Sequence, residues 1–291
     1  LVIGSCGMMV TSSESFMVGF IFALAIIPLF LHKDSDKMAR FFVSLIILVL
    51  ASQLFRVVYE LIKLNGGTVN YALSQLLLIW LNPVASVCVL LVSVLGLVFI
   101  KKKIKIPYAS RIYFAGFLIV VASTITCFVL ANTVLYEKNW GTIGRFFKIT
   151  NEWGSYRGDI WRLCIELYSE FSIPQKLFGI GPESLQKIAQ SSAVFQGLTL
   201  DQAHNEYLQY LLTIGVFGLT AYLSVIVAVA YTVIKKLNRD TMAIGAFTGL
   251  ASYWVQAIVN IAQPFTTPMM YLYIAITGGI YMSKKLGENH L

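Results

Sequence analysis

The chain of 291 residues is 57% hydrophobic and only 12% charged, with a mean hydropathy of +0.74. A soluble domain carries about a quarter charged residues, so a water-facing globular class is excluded and most of the surface faces lipid. The net charge of +8 lies in short clusters at the ends of apolar runs, which reads as membrane anchoring and excludes the need for a nucleic-acid partner.

Residues 1–10 look like the tail of an earlier span, with no initiator methionine and no basic stretch ahead of them. The chain is expected to be truncated at its N-terminus. Beyond them, seven windows offer the roughly 20 apolar residues that a bilayer core requires: 16–32, 40–59, 71–100, 108–131, 207–234, 241–261 and 268–283. The third is long and holds Asn82-Pro83 near its middle. Proline removes a helix hydrogen bond there, so a kink or a division into two segments is expected.

Charge orders these spans. One set of loops holds Lys33, Lys37 and Arg40, then Lys101, Lys102, Lys103, Lys105 and Arg111, then Lys235, Lys236 and Arg239, then Lys284 and Lys285. The opposite short loops hold Arg56 and Lys63. The positive-inside rule assigns the first set to the cytoplasm, and the alternation works with seven crossings. The expected fold class is therefore all-α: a polytopic membrane helix bundle of about seven complete spans in the cell membrane. Residues 1–131 form its N-terminal spans, 132–206 one large extracytoplasmic helical loop, and 207–291 the C-terminal spans. The loop has seven Lys/Arg and eight Asp/Glu, a balance unlike that of the basic cytoplasmic loops. Cys6, Cys88, Cys127 and Cys164 are scattered, which indicates neither a disulfide framework nor a zinc site.

A connection as long as 132–206 points to function, and three stretches in it stand out. The first, Tyr156-Arg157-Gly158-Asp159-Ile160-Trp161-Arg162, opens a helix with apolar residues at Ile160, Leu163, Cys164, Leu167, Tyr168 and Phe171, an amphipathic stripe. Such a helix lies on the membrane surface or caps the bundle. Arg157 projects beside Ile160 and Trp161, whereas Arg162, Glu166 and Glu170 take the wet face. An arginine so placed needs an anion; a lipid phosphate or Asp159 would serve as well as a substrate.

The second stretch is Leu177-Phe178-Gly179-Ile180-Gly181-Pro182-Glu183, followed by a helix expected to run through Phe195. Its glycines and proline make a compact turn with free backbone N–H groups at a helix start, suited to a phosphate or a sugar hydroxyl. A plain tight turn reads equally from the same residues. The third is Asp201-Gln202-Ala203-His204-Asn205-Glu206-Tyr207-Leu208, running into the next span with Asn205 as helix cap. An imidazole with a pKa near 6.5 suits a proton acceptor at neutral pH; an interfacial histidine without chemistry is the plainer reading.

In order and spacing, Arg157-x-x-Ile160-Trp161, then Gly179-Ile180-Gly181, then Ala203-His204-Asn205-Glu206-Tyr207-Leu208-Gln209 with Gly215-Val216-Phe217-Gly218 resembles the O-antigen ligase/polymerase family of membrane glycosyltransferases. The resemblance implies transfer or polymerisation of a glycan carried on a polyprenyl diphosphate at the outer leaflet. An acceptor hydroxyl, on another glycan or on a lipid, would attack the anomeric carbon as the lipid diphosphate leaves. It further implies diphosphate contact for Arg157, a catalytic role for His204, and work without a cofactor or metal. Trp161, Arg162, Gly179, Gly181 and Asn205 complete the candidate substrate-binding set, with Arg145 and Lys148 as further cations. A guanidinium binds two phosphate oxygens at once, and losing one such donor removes about 3–4 kcal/mol of barrier lowering.

The chain departs from the family pattern at two places. Ser13-Glu14 stands where Ser-Arg is frequent, and Thr213 where an acidic residue precedes the Gly-x-x-Gly. Arg56, one turn before Glu60, is a substitute cation or one half of a local salt bridge. A transporter or flippase of polysaccharide or lipid-linked oligosaccharide is the rival from another class. Gln256, Asn260 and Gln263 would line its path, although interhelical hydrogen bonding accounts for that row more simply. A lipid-diphosphate-using polymerase of the shape, elongation and division family shares the span plan but lacks the Ala-His-Asn-Glu-Tyr-Leu run. A structural scaffold without activity is the last alternative.

Overall fold

A computed structural model describes residues 14–67, 83–104, 108–182, 184–191 and 201–288. Among the described residues every regular element is a helix: α1 (Glu14–Leu31), α2 (Ser35–Leu64), α3 (Pro83–Lys101), α4 (Ala109–Ala131), α5 (Gly141–Phe147), α6 (Trp153–Glu170), α7 (Ile173–Phe178), α8 (Ser184–Ser191), α9 (Glu206–Thr213), α10 (Gly215–Lys236), α11 (Thr241–Gln256) and α12 (Thr267–Glu288). The all-α expectation holds.

Four of these helices are long and apolar enough to cross a membrane: Ser35–Leu64, Val84–Lys101, Ala109–Ala131 and Gly215–Lys236. They fall on four of the seven expected windows. Their apolar side chains are turned outward to an extent no aqueous protein tolerates. Leu54, Val84, Val92, Ile119 and Val120 are all more than half exposed, as a lipid solvent requires. Of the other windows, Val18–Leu31 is a shorter apolar stretch and α11 has 16 residues. The kink expected at Asn82-Pro83 falls outside the described residues; from Pro83 the chain is helical to Lys101.

The chain divides into two compact units, residues 1–17 with 27–114, and 18–26 with 115–291. In the first, α2 and α3 pack side by side. Asp34 caps α2 by accepting from the Lys37 amide at 3.0 Å. The Gln53 amide donates to Ser86 Oγ across the pair at 2.7 Å. Such a bond between helices is favoured where no water competes. Gly96 lies under the Phe42 ring, close enough that a side chain would collide with it.

The second unit carries α5 to α12. Asp240 caps α11 through the Met242 and Ala243 amides at 3.1 and 3.0 Å, and ties Lys284 of α12 at 3.0 Å. Gly249 lets the Tyr273 ring sit against α11, so α11 and α12 run in close contact.

One expected span is broken. The window 207–234 divides into α9 and α10 at Ile214-Gly215, with Gly215 in the left-handed region at φ +67°. The segment after α7 inserts at this joint: the Ile180 amide donates to the Leu212 carbonyl and the Gly181 amide to the Thr213 carbonyl, both at 2.9 Å. A helix break leaves carbonyls without partners, and those two amides satisfy them.

Candidate functional site

The site begins at the entry to α6. Gly154, Ser155 and Tyr156 are three successive residues at positive φ (59°, 61° and 68°), and the regular right-handed helix starts at Arg157. For Ser155 and Tyr156 this backbone costs on the order of 1–2 kcal/mol each, so the surroundings must impose it. They do so through several ties. Asn132, one residue past α4, donates to the Phe128 and Phe147 carbonyls and accepts from the Ile149 amide, each at 2.7 Å. Trp153 packs its ring on Phe128 and on Trp161, with centroids 6.4 and 5.2 Å apart. The Asp159 amide donates to the Asn151 carbonyl at 3.2 Å. Gly158 approaches the Thr150 carbonyl so closely that a side chain would strike it. Within this turn Arg157 is half-buried, and Nη1 donates to the Gly154 carbonyl.

From Arg157 the helix turns its apolar stripe inward. Leu163, Cys164, Leu167 and Phe171 form one buried cluster with Leu185 of α8, Ala203 and Leu212 of α9, flanked by Ile160, Tyr168, Ile180, Ile188 and Leu208. The stripe of α6 is therefore packed on protein, against α8, α9 and Ala203. Burial pushes the Cys164 thiol up to about 12, so it is a packing group and not a nucleophile.

Ala203 is the last residue of that cluster and His204 follows directly. His204 is in the left-handed region at φ +51° and is fixed from both sides. The Ala203 amide donates to Gln209 Oε1 at 2.9 Å. Asn205 caps α9 by accepting from the Leu208 amide at 3.0 Å, as its position in the sequence suggested. The His204 imidazole is held below its ordinary value, first by burial and then by the positive charge of Arg157, with Asp201 acting in the opposite direction. Arg157 and His204, far apart in the sequence, therefore share one electrostatic environment. A neutral imidazole can accept a proton, and a guanidinium can hold an anion beside it.

The other candidates are distributed around this pair. Trp161 stacks on Trp153, and its Nε1 is buried with no hydrogen-bond partner among the described residues. Arg162 is on the exposed face, paired with Asp159 at 2.8 Å and Glu166 at 3.4 Å. Lys148 sits over the Tyr136 ring at 4.3 Å. The Arg145 side chain and Glu183 lie outside the described residues, and Arg56 belongs to the first unit.

The free amides expected at Gly179-Ile180-Gly181 are engaged. Gly179 donates to the Gln175 carbonyl at 2.7 Å, and the next two amides donate to Leu212 and Thr213. What glycine provides at 179 is φ +79° and close approach to Thr213. The helix after it is described as far as Ser191, short of the expected Phe195. Among the described residues no three His, Cys, Asp or Glu side chains cluster as a metal site would require.

One residue was missed. Glu206, two positions past His204, is 1% exposed. Its carboxylate accepts from Tyr210 at 2.9 Å, Tyr222 at 3.3 Å and Tyr253 at 2.8 Å. The Glu206–Tyr210 spacing of four was visible in the sequence; the partners on α10 and α11 were not.

A family model described as O-antigen ligase matches residues 70–223, more than half of the chain. The chain belongs to the O-antigen ligase family. The match takes in Arg157, Gly179, Gly181 and His204 and ends within α10. Membership of the O-antigen ligase family makes this a membrane protein of glycan assembly with glycosyltransferase-like activity. Neither the curated proteins nor the solved structures hold a match to the chain.

Proposed function

We propose that the chain transfers a glycan from a polyprenyl-diphosphate donor to an acceptor hydroxyl, on a further glycan or a lipid, at the outer face of the cell membrane. The observation that carries this reading is that the fold brings Arg157 near enough to His204 for its charge to add to burial in disfavouring the protonated imidazole. In the proposed reaction the acceptor O–H proton passes to His204, and the acceptor oxygen bonds to the anomeric carbon. The bond from that carbon to the diphosphate oxygen breaks, and its electron pair leaves with the lipid diphosphate. Arg157 holds the oxygens on which the negative charge grows.

The remaining candidates divide by what surrounds them. Trp161, one turn after Arg157 on α6, offers the glycan an aromatic surface beside the cation. Asn205 orients His204 by capping α9. Gly179 and Gly181 support the site by shape, and Arg162 in its ion-pair network is an outer contact for a charged donor. The basic clusters at Lys101, Lys235 and Lys284 support a cytoplasmic side for their loops and the opposite side for residues 132–206.

Surface polysaccharide from cells that depend on this chain tests the reading. Arg157→Ala and His204→Ala are expected to abolish chain extension or attachment while the protein inserts at its usual level. A cysteine placed at position 138 is expected to label from outside the cell. Polysaccharide of normal length from both variants would refute the assigned roles.

A further inference from the structure

Glu206 is a fully buried carboxylate that the chemistry above leaves without a task. Removing a carboxylate from water costs several kcal/mol unless donors surround it, and an apolar side chain would join helices at less cost. Here three phenol hydroxyls converge on it: Tyr210 from α9, Tyr222 from α10 and Tyr253 from α11. Tyr253 and Thr267 share a further hydrogen bond at 3.0 Å, which brings α12 into the network. The Glu206 amide donates to the Ala257 carbonyl at the end of α11 at 2.9 Å, and the Tyr207 hydroxyl donates to the Trp254 carbonyl at 2.7 Å. The tyrosine rings pack on one another, Tyr210 edge-on to Tyr222 at 4.8 Å and Tyr207 to Tyr222 at 6.0 Å.

This network begins two residues after His204, which adopts a backbone conformation a non-glycine residue rarely holds unaided. Upstream, Ala203 is locked into the α6 core and bonded to Gln209. Downstream, Glu206 locks the chain to α10, α11 and α12. We propose that Glu206 is a positioning residue for the transfer reaction: its tyrosine-bound carboxylate clamps the start of α9 so that the His204 imidazole is presented at one fixed place and angle. The inference rests on the reading that His204 meets the acceptor. A displacement of about 1 Å at such a group lowers a rate about 100-fold, so the clamp acts on turnover and not on donor affinity.

The test uses the full chain purified into lipid nanodiscs, with a lipid-diphosphate-linked oligosaccharide as donor and 15N-labelled histidine as probe. Only three histidines are present, and His204→Gln assigns the ring signals of interest. Glu206→Gln keeps the volume but puts an N–H₂ where a hydroxyl now donates. It is expected to lower kcat about 10- to 100-fold with the donor KM within about two-fold of wild type, and to shift or split the His204 ring signals. Tyr222→Phe and Tyr253→Phe, each removing one donor, are expected to do the same to a smaller degree, and they carry the test if Glu206→Gln does not fold. Unchanged His204 signals with kcat reduced only in proportion to the folded fraction would overturn the proposal, leaving Glu206 a stability residue alone. If His204→Ala itself retains full transfer, the assigned chemistry fails, while the ring signals still decide whether Glu206 holds the imidazole.

Discussion

Gly179 and Gly215 interlock two segments of the second unit. A side chain on Gly179 would collide with the Thr213 carbonyl, and one on Gly215 with the Leu177 carbonyl, while both residues hold positive φ. The break between α9 and α10 and the turn after α7 therefore exist only together. Phe178 and Phe217, with ring centroids 5.3 Å apart, close the same joint on its outer side.

Replacing either glycine by alanine adds a clash to a backbone that disfavours Cβ. Gly179→Ala and Gly215→Ala are each expected to destabilise the protein by at least about 2 kcal/mol. Gly116, with open space around it, serves as the control, since Gly116→Ala in α4 is expected to be neutral or mildly stabilising. Thermal unfolding in detergent separates the three. Equal midpoints would show that the joint is not held as described.

Apolar periodicity made α6 legible. The stripe Ile160, Leu163, Cys164, Leu167 and Phe171 is the face that packs against α8 and α9. Asn205 was legible as a cap for the same local reason. The α9–α10 break was not, because apolar character continues straight through Ile214-Gly215 and its cause lies at residues 177–181, far away in the chain. The same distance explains Gly179-Ile180-Gly181. A local reading finds free amides at a turn, and only the fold reveals the Leu212 and Thr213 carbonyls that take them. Glu206 was hidden differently, since its donors on α10 and α11 look like ordinary span tyrosines. Motif order suggested that Arg157 and His204 act together; in the fold Ala203, next to His204, packs into the core of the helix that Arg157 opens, and the Arg157 charge acts on the imidazole.

Thiol chemistry reports on that core. Cys164 is fully buried and its thiol is pushed up to about 12 by burial. It is expected to resist aqueous maleimide at pH 8 until the protein unfolds, as read by mass spectrometry of the peptide containing it. Rapid labelling of the folded protein would mean that the α6 face is open.

Acid should silence the site at a pH set by His204. Its value is lowered below 6.5 by burial and by Arg157, so the proton-accepting neutral form persists below the usual histidine range. Transfer is expected to fall as pH drops, with an apparent midpoint below 6.5. Asp201→Asn removes the one opposing charge and is expected to move that midpoint lower still. An acid limb above 6.5, or one that Asp201→Asn moves upward, would contradict the described electrostatics.

Asp240 combines a cap with an ion pair. Asp240→Asn keeps the cap and loses the charge, and is expected to change stability by less than about 1 kcal/mol because the pair is partly exposed. Asp240→Ala loses both, with a cost of about 1 kcal/mol or more from the cap alone. Chemical unfolding of the two variants measures the split, and equal losses would assign the stabilisation to charge.

The central claim is that Arg157 and His204 together drive glycan transfer from a lipid diphosphate. Purified protein reconstituted with a lipid-diphosphate-linked oligosaccharide and an acceptor glycan measures this directly, by counting new glycosidic bonds against released lipid diphosphate. Equal yields of the two are expected from wild type, with losses of about 100-fold or more from Arg157→Ala and from His204→Ala. Bond formation undiminished in both variants, or donor movement between leaflets with no new bond in the wild type, would contradict the account.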